Sequence, residues 1–139
     1  MKEYDVSFEI CTKFKTLSEL SELIGLTCSE DSHEKGQPRG KKRIWEETYW
    51  KLFSSELRSA PIGKHFENIF SQLSHSNTLL PESRFLFPED CSFYLSIGVF
   101  FNENSEGNLF EISPQVMERI NSYKVDIEVC LYPSSMKEN

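Results

Sequence analysis

The chain has 139 residues, of which 38% are hydrophobic and 13% aromatic, enough apolar material for one folded domain with a core of its own. Its 22 acidic and 15 basic side chains give a formal net charge of −7, a field that repels phosphate backbones and makes nucleic acid an unexpected partner. No apolar run nears the roughly eighteen residues that span a bilayer. The opening Met1-Lys2-Glu3-Tyr4-Asp5 also lacks the apolar stretch of a secretory signal, so a cytoplasmic location with no membrane contact is expected.

Cys11, Cys28, Cys91 and Cys130 are scattered, and no two form a C-x-x-C pair. Without an export signal they are expected to be reduced and to act as small apolar residues.

The first strand is read at Tyr4 to Cys11, where Tyr4, Val6, Phe8 and Ile10 alternate with Asp5, Ser7 and Glu9. Thr16-Leu17-Ser18-Glu19 has the form of a capping box. It opens a helix with Leu17, Leu20, Leu23 and Ile24 as its stripe and Gly25 as its stop. Thr27 to Gly40 is polar, carries Gly36, Pro38 and Gly40, and is expected to be a mobile loop. Arg43 to Leu57 fits either periodicity, and its β-branched and aromatic content favours a strand. On that strand Ile44, Thr48, Trp50 and Leu52 share one face, and Trp45, Tyr49 and Phe53 the other.

Pro61 opens a second helix whose face is Ile62, Phe66, Ile69, Phe70 and Leu73. After a loop through Ser74–Ser83, Cys91, Phe93, Leu95, Ile97, Val99 and Phe101 alternate without interruption, predicting a long strand. Asn102 to Asn108 reads as a turn, and Leu109 to Ile112 as a short returning hairpin arm. Ser113-Pro114 begins a third helix faced by Val116, Met117 and Ile120. In the last strand, Val125 to Leu131, the residues Val125, Ile127, Val129 and Leu131 are expected inward, with Asp126 and Glu128 outward. The tail beyond Pro133 is expected to fray.

The order β-α-β-α-β-β-α-β, with clean alternation along the strands, predicts a single α+β domain: a mostly antiparallel sheet of four to five strands with three helices on one face.

The sequence resembles a bacterial family of domains of unknown function, number four-two-seven-nine, over nearly its whole length. The resemblance rests on the opening strand and capped helix, on Gly36, Pro38 and Arg39 leading to Trp50, and on the helix from His65 to Leu73. It continues through Ile112-Ser113-Pro114 and Val125 to Tyr132. Tyr49 departs from it, since a small residue is more usual before the tryptophan. The resemblance implies the fold and a bacterial origin and transfers no site.

No constellation carries a recognised chemistry. Cys28 and His33 form one C-x4-H with no second ligand pair to join it, while His65 and His75 lie on or near the second helix. Structural zinc requires local ligand pairs, so neither a metal nor another cofactor is expected. His65 is read as a histidine at the edge of its helix, and Glu46 and Glu47 as pointing to opposite sides of a strand. The histidines stand in no nucleophile motif, so no enzyme is expected. The basic run at Arg39, Lys41, Lys42 and Arg43 could hold an anion. It lacks the ending of a phosphate-binding loop, and lysines flanking an edge strand explain it as well.

The most informative feature is the sheet face away from the helices. It would show Asp5, Glu9, Asp126 and Glu128 with Tyr94, Ser96 and Phe100, joined by Trp45, Tyr49 and Phe53. Aromatic anchors ringed by carboxylates suit a basic protein partner. The leading expectation is therefore a non-enzymatic protein-binding module, such as an immunity-type protein that neutralises a basic partner. The alternatives are a domain that self-associates through the aromatic face, and a small-molecule binder or enzyme with a pocket near residues 27–40 using His33, Gly36 and Arg39.

Overall fold

A computed structural model describes residues 2–105 and 107–133. In chain order the elements are β1 (Glu3–Thr12), α1 (Leu17–Ile24), β2 (Pro38–Arg39), β3 (Arg43–Ile44) and β4 (Thr48–Phe53). They continue with α2 (Ile62–Leu73), a 3-10 helix (Pro81–Leu86), β5 (Ser92–Phe101), α3 (Pro114–Ser122) and β6 (Asp126–Pro133). The main sheet has the order β4-β1-β5-β6, and β2 and β3 form a separate two-stranded hairpin. β1 is antiparallel to both β4 and β5, while β5 and β6 are parallel. A parallel pair needs a long crossover, which residues 102–125 supply with α3 inside it. The fold is thus α+β, with a mostly antiparallel sheet.

The helices begin and end where local chemistry dictates. Both halves of the capping box form: the Glu19 N–H donates to Thr16 Oγ1 at 3.1 Å, and the Thr16 N–H donates to Glu19 Oε1 at 3.0 Å. Gly25 closes α1 at a φ of 81°, a left-handed conformation that costs glycine little, and its N–H reaches the Ser21 carbonyl. In α3, Pro114 occupies the first turn and Ser113 Oγ accepts from the Val116 N–H at 3.2 Å. α2 starts after Pro61 with no side-chain cap and is held by its buried face of Phe66, Ile69, Phe70 and Leu73.

One continuous core lies between the helices and one face of the sheet. Val6, Phe8 and Ile10 of β1, Trp50 and Leu52 of β4, and Leu95, Ile97 and Val99 of β5 meet Leu20, Ile24, Phe66, Ile69, Phe70, Leu73 and Ile120 from the helices. The Trp50 ring is fully buried, and its indole N–H is satisfied by Ser21 Oγ at 3.0 Å.

Several local expectations are corrected. The single strand expected over 43–57 is broken. The Trp45 N–H donates to the Gln37 carbonyl and the Trp45 carbonyl accepts from Gly36, so its backbone belongs to the β2–β3 hairpin and the sheet strand restarts at Thr48. The 27–40 segment is tied to the outer edge of β4, with His33 and Tyr49 exchanging both backbone hydrogen bonds. Residues 109–112 form no strand, because both sides of β5 are already taken by β1 and β6. Leu109, Phe110 and Ile112 pack against the core instead, and the Leu109 carbonyl accepts from the Tyr4 hydroxyl at 2.8 Å.

The largest departure is β6. Ile127, Val129 and Leu131 pair with Leu95, Ile97 and Val99 and so share the helix-side face, yet they stay 44%, 44% and 51% exposed. α3 does not lie over them. Its end packs against α2, with Tyr123 stacked on Phe70 at 6.1 Å and Arg119 over the same ring at 4.4 Å. Met117, expected on the buried face of α3, is likewise exposed.

Ile97 is fully buried at the centre of the sheet. Ile97→Ala should lower unfolding stability by about 2–5 kcal/mol, read as a drop in the denaturant midpoint.

Candidate functional site

The face of the sheet opposite the helices carries no covering element among the described residues, and strand register arranges its side chains in rows. Phe53, Ser7, Ser96 and Glu128 form one row, and Lys51, Glu9, Tyr94 and Asp126 the next. On the other side run Asp5, Gly98 and Cys130, then Phe100 and Tyr132. Small residues in mid-sheet and larger ones around them leave a shallow trough of about 260 Å³, floored by Ser7, Ser96 and Gly98.

Gly98 shapes one wall. A Cβ there would stand 3.3 Å from the Tyr132 ring and 3.5 Å from the Asp5 side chain, so a larger residue would push the ring by a few tenths of an ångström where glycine lets it lean across β5. Tyr132 stacks on Phe100 at 4.9 Å, and Arg58 covers Phe100 at 4.4 Å. Arg58 also grips Asp5 with two hydrogen bonds, Nε to Oδ1 and Nη2 to Oδ2, each 2.8 Å. Asp5 is therefore on the expected face but already neutralised. Glu9 accepts from Ser7 Oγ at 2.8 Å and faces Lys51 across the strands. Among the described residues Glu9, Asp126 and Glu128 form no ion pair, so the trough keeps an acidic surplus.

Of the expected partner-binding residues, Asp5, Glu9, Phe53 and Glu128 line the trough, and Tyr94 and Asp126 extend it along the sheet. Trp45 does not join them. It belongs to the hairpin, stacked on His33 at 4.1 Å with Arg39 over its ring at 4.4 Å. Tyr49 sits edge-on to Trp45 at 5.4 Å, at the far end of the open face. Sequence reasoning missed Lys51, Arg58 and Tyr132. A glycine within a strong strand pattern was the available signal for a close approach at Gly98, and nothing in spacing pointed to Arg58.

The hairpin frames a second concavity of about 520 Å³, lined by Arg39, Lys42, Arg43, Trp45, Glu46 and Glu47 among others. Lys41 is exposed on the same hairpin. Glu46 and Glu47 therefore face one space rather than opposite sides, because residues 45–47 bend between strands. The Glu47 carboxylate accepts from the Cys11 thiol. Burial and this carboxylate push Cys11 up to about 12, and burial with Cys11 and Glu47 alongside raises Tyr49 to about 12 as well. A thiol held protonated in this way is the reverse of an activated nucleophile. All four cysteines are free thiols, and the described residues hold no group of three His, Cys, Asp or Glu side chains placed to bind a metal ion.

His65 is buried, not at a helix edge as expected. Its Nδ1 lies 2.8 Å from Ser54 Oγ, its ring meets Tyr4 edge-on at 6.2 Å, and among the described residues its Nε2 has no hydrogen-bond partner. His65 is thus a core residue and takes no part in the trough.

The DUF4279 family, described as a domain of unknown function, matches residues 2–134. The chain belongs to that family. No curated protein and no solved structure matches it. No helix of this DUF4279 domain among the described residues is long and apolar enough to cross a membrane.

Burial holds the folded-state pKa of His65 below its ordinary value of 6.5, and that of His33 likewise. The unfolded chain therefore takes up protons that the folded chain refuses, and stability falls as pH drops through 6.5. The denaturant midpoint of the wild type should fall between about pH 8 and about pH 5.5, and His65→Gln should flatten that slope.

Proposed function

We propose that this DUF4279 domain is a cytoplasmic, non-enzymatic protein-binding module of bacterial origin, whose open sheet face receives a basic segment of another protein. The observation that carries this reading is the trough itself: a small-residue floor between aromatic walls, with Glu9, Glu128 and Asp126 on the same face and in no ion pair among the described residues. At about 260 Å³ it falls below the roughly 300–1,000 Å³ usual for small-molecule pockets, and it suits an arginine or lysine side chain presented by a larger surface. Aromatic rings give such a side chain a platform, and the carboxylates give it a charge partner. The net charge of −7 adds long-range attraction for a basic protein. An immunity-type protein that neutralises a basic toxin is one form this module could take.

The protonated state of Cys11 and the burial of His65 support a binding role over nucleophilic catalysis. Affinity capture from lysate of the native organism tests the proposal, with wild type and an Asp126→Lys/Glu128→Lys variant as baits. A discrete basic protein retained by the wild type, released at high salt and absent from the variant supports it. Equal retention by both baits counts against it.

A second reading has its own observation, the 520 Å³ concavity lined by Arg39, Lys42 and Arg43, which would suit a small anion. Inorganic phosphate should then raise the melting temperature of the wild type, with the rise lost in Lys42→Ala/Arg43→Ala. No rise in the wild type removes this reading. Arg39 and His33 are left intact because both support the Trp45 ring.

A further inference from the structure

The two edges of the sheet are treated differently. On β4, the N–H groups of Tyr49, Lys51 and Phe53 are taken by His33 O at 2.6 Å, Ser32 Oγ at 2.9 Å and Ser29 Oγ at 2.9 Å. The carbonyls of Tyr49 and Lys51 accept from His33 and Ser29 at 2.9 and 2.7 Å. The 29–33 segment therefore seals that edge. β6 is the opposite edge and runs for eight residues, Asp126–Pro133. Among the described residues, no backbone hydrogen bond from a loop or turn reaches it.

A free edge is normally blunted by lysines, a central proline, a bulge, shortness or a covering segment. The β6 sequence DIEVCLYP has no lysine or arginine, and its one proline is the last residue. Its helix-side face shows Ile127, Val129 and Leu131 at 44–51% exposure, an apolar row on an open hydrogen-bonding edge.

We propose that two copies of this chain pair antiparallel through β6, about a two-fold axis at Val129. The strand's own sequence, its apolar row, carboxylates and terminal proline together, favours one register. With Val129 opposite its copy, Ile127 faces Leu131, so the apolar row meets itself across the axis. On the other face Asp126 meets Tyr132 and Glu128 meets Cys130, and no two carboxylates stand directly opposed. Sliding by two residues one way sets Glu128 against Glu128, a like-charge pair that destabilises the ladder. Sliding the other way keeps the paired length but sets Ile127 opposite Pro133, which has no N–H to give a ladder. A slip of one residue sends the apolar row against the acidic face. The pairing is isologous and closes, since the eight-stranded sheet it forms ends at both sides on β4 edges already sealed by residues 29–33. The pairing does not depend on the open-face reading: it uses the opposite face of β6 and its backbone edge.

Light scattering on the intact chain should give twice the mass of one chain. In a Cys130→Ser background, Val129→Cys should form a disulfide-linked dimer under mild oxidation, because cross-strand partners lie about 4.5–5.5 Å apart between Cα atoms, within disulfide reach. Ile127→Cys alone should not, because its copy stands four residues along the partner strand. Ile127→Lys should give a folded monomer, with an unchanged circular dichroism spectrum and half the mass. A wild-type monomer at about 1 mM overturns the proposal. It is overturned whether the thiol introduced by Val129→Cys reacts freely with a thiol reagent, leaving the edge bare, or is protected because another segment of the chain or a different protein occupies it. Equal crosslinking by the Ile127→Cys and Val129→Cys variants overturns the register.

Discussion

The open face and the core both depend on β1, which pairs along nearly its whole length with β4 on one side and β5 on the other. Its alternation is the device. Val6, Phe8 and Ile10 are buried under the helices, while Asp5, Ser7 and Glu9 set three of the open-face rows. Because the side-chain period is two, a one-residue slip of β1 against either neighbour would bury carboxylates and expose phenylalanine. The energy of core burial therefore fixes the registration of the polar face.

That polar face is not uniformly acidic, and the differences decide what it can do. Asp5 is spent on Arg58, which in turn lies on Phe100, so one corner of the trough is a closed unit of carboxylate, guanidinium and ring. Both partners of this pair are partly exposed, so the pair organises the wall more than it stabilises the fold. Gly98 opens the space that Tyr132 crosses, which joins the β6 wall to the Phe100 wall. The carboxylates left over stand toward the other end of the face, Glu9 on β1 beside Lys51 and Asp126 and Glu128 on β6 beyond Tyr94 and Ser96. The acidic surplus is thus directional, and a cationic group entering the trough meets rings on one side and carboxylates on the other.

The strands and helices were legible wherever one segment faced the core on one side only. β1, β5, α1 and α2 announce themselves through apolar spacing, and the capping box at Thr16 and Glu19 through hydrogen-bond chemistry confined to four residues. What escaped was set by distant chain. Trp45 carries the right periodicity for a β4 residue, but its backbone bonds to Gln37 and Gly36 remove it from the sheet. Leu109 to Ile112 has the composition of a strand, but both sides of β5, its expected hairpin partner, are taken by β1 and β6. His65 reads as an edge residue because a helical wheel cannot show that Ser54 and Tyr4 approach from other elements. On the open face, the carboxylates were visible from alternation, whereas Arg58 reaches Asp5 from outside any regular element.

β6 shows where alternation misleads. Its pattern is that of a half-buried strand, yet the pattern records only that one face is apolar and not what covers it. In this fold the apolar row belongs to the last strand of a parallel pair, and α3, the helix of that crossover, is drawn toward α2 by the Phe70–Tyr123 stack and by Arg119. Arg84 reinforces the same placement, since it donates to the Tyr123 carbonyl from the 3-10 helix while lying 3.6 Å over Phe93. With the helix held there, Ile127, Val129 and Leu131 stay exposed. An apolar row on a strand whose outer edge has no backbone partner among the described residues makes a β-strand the natural occupant, because a strand alone supplies ladder hydrogen bonds and side-chain cover together.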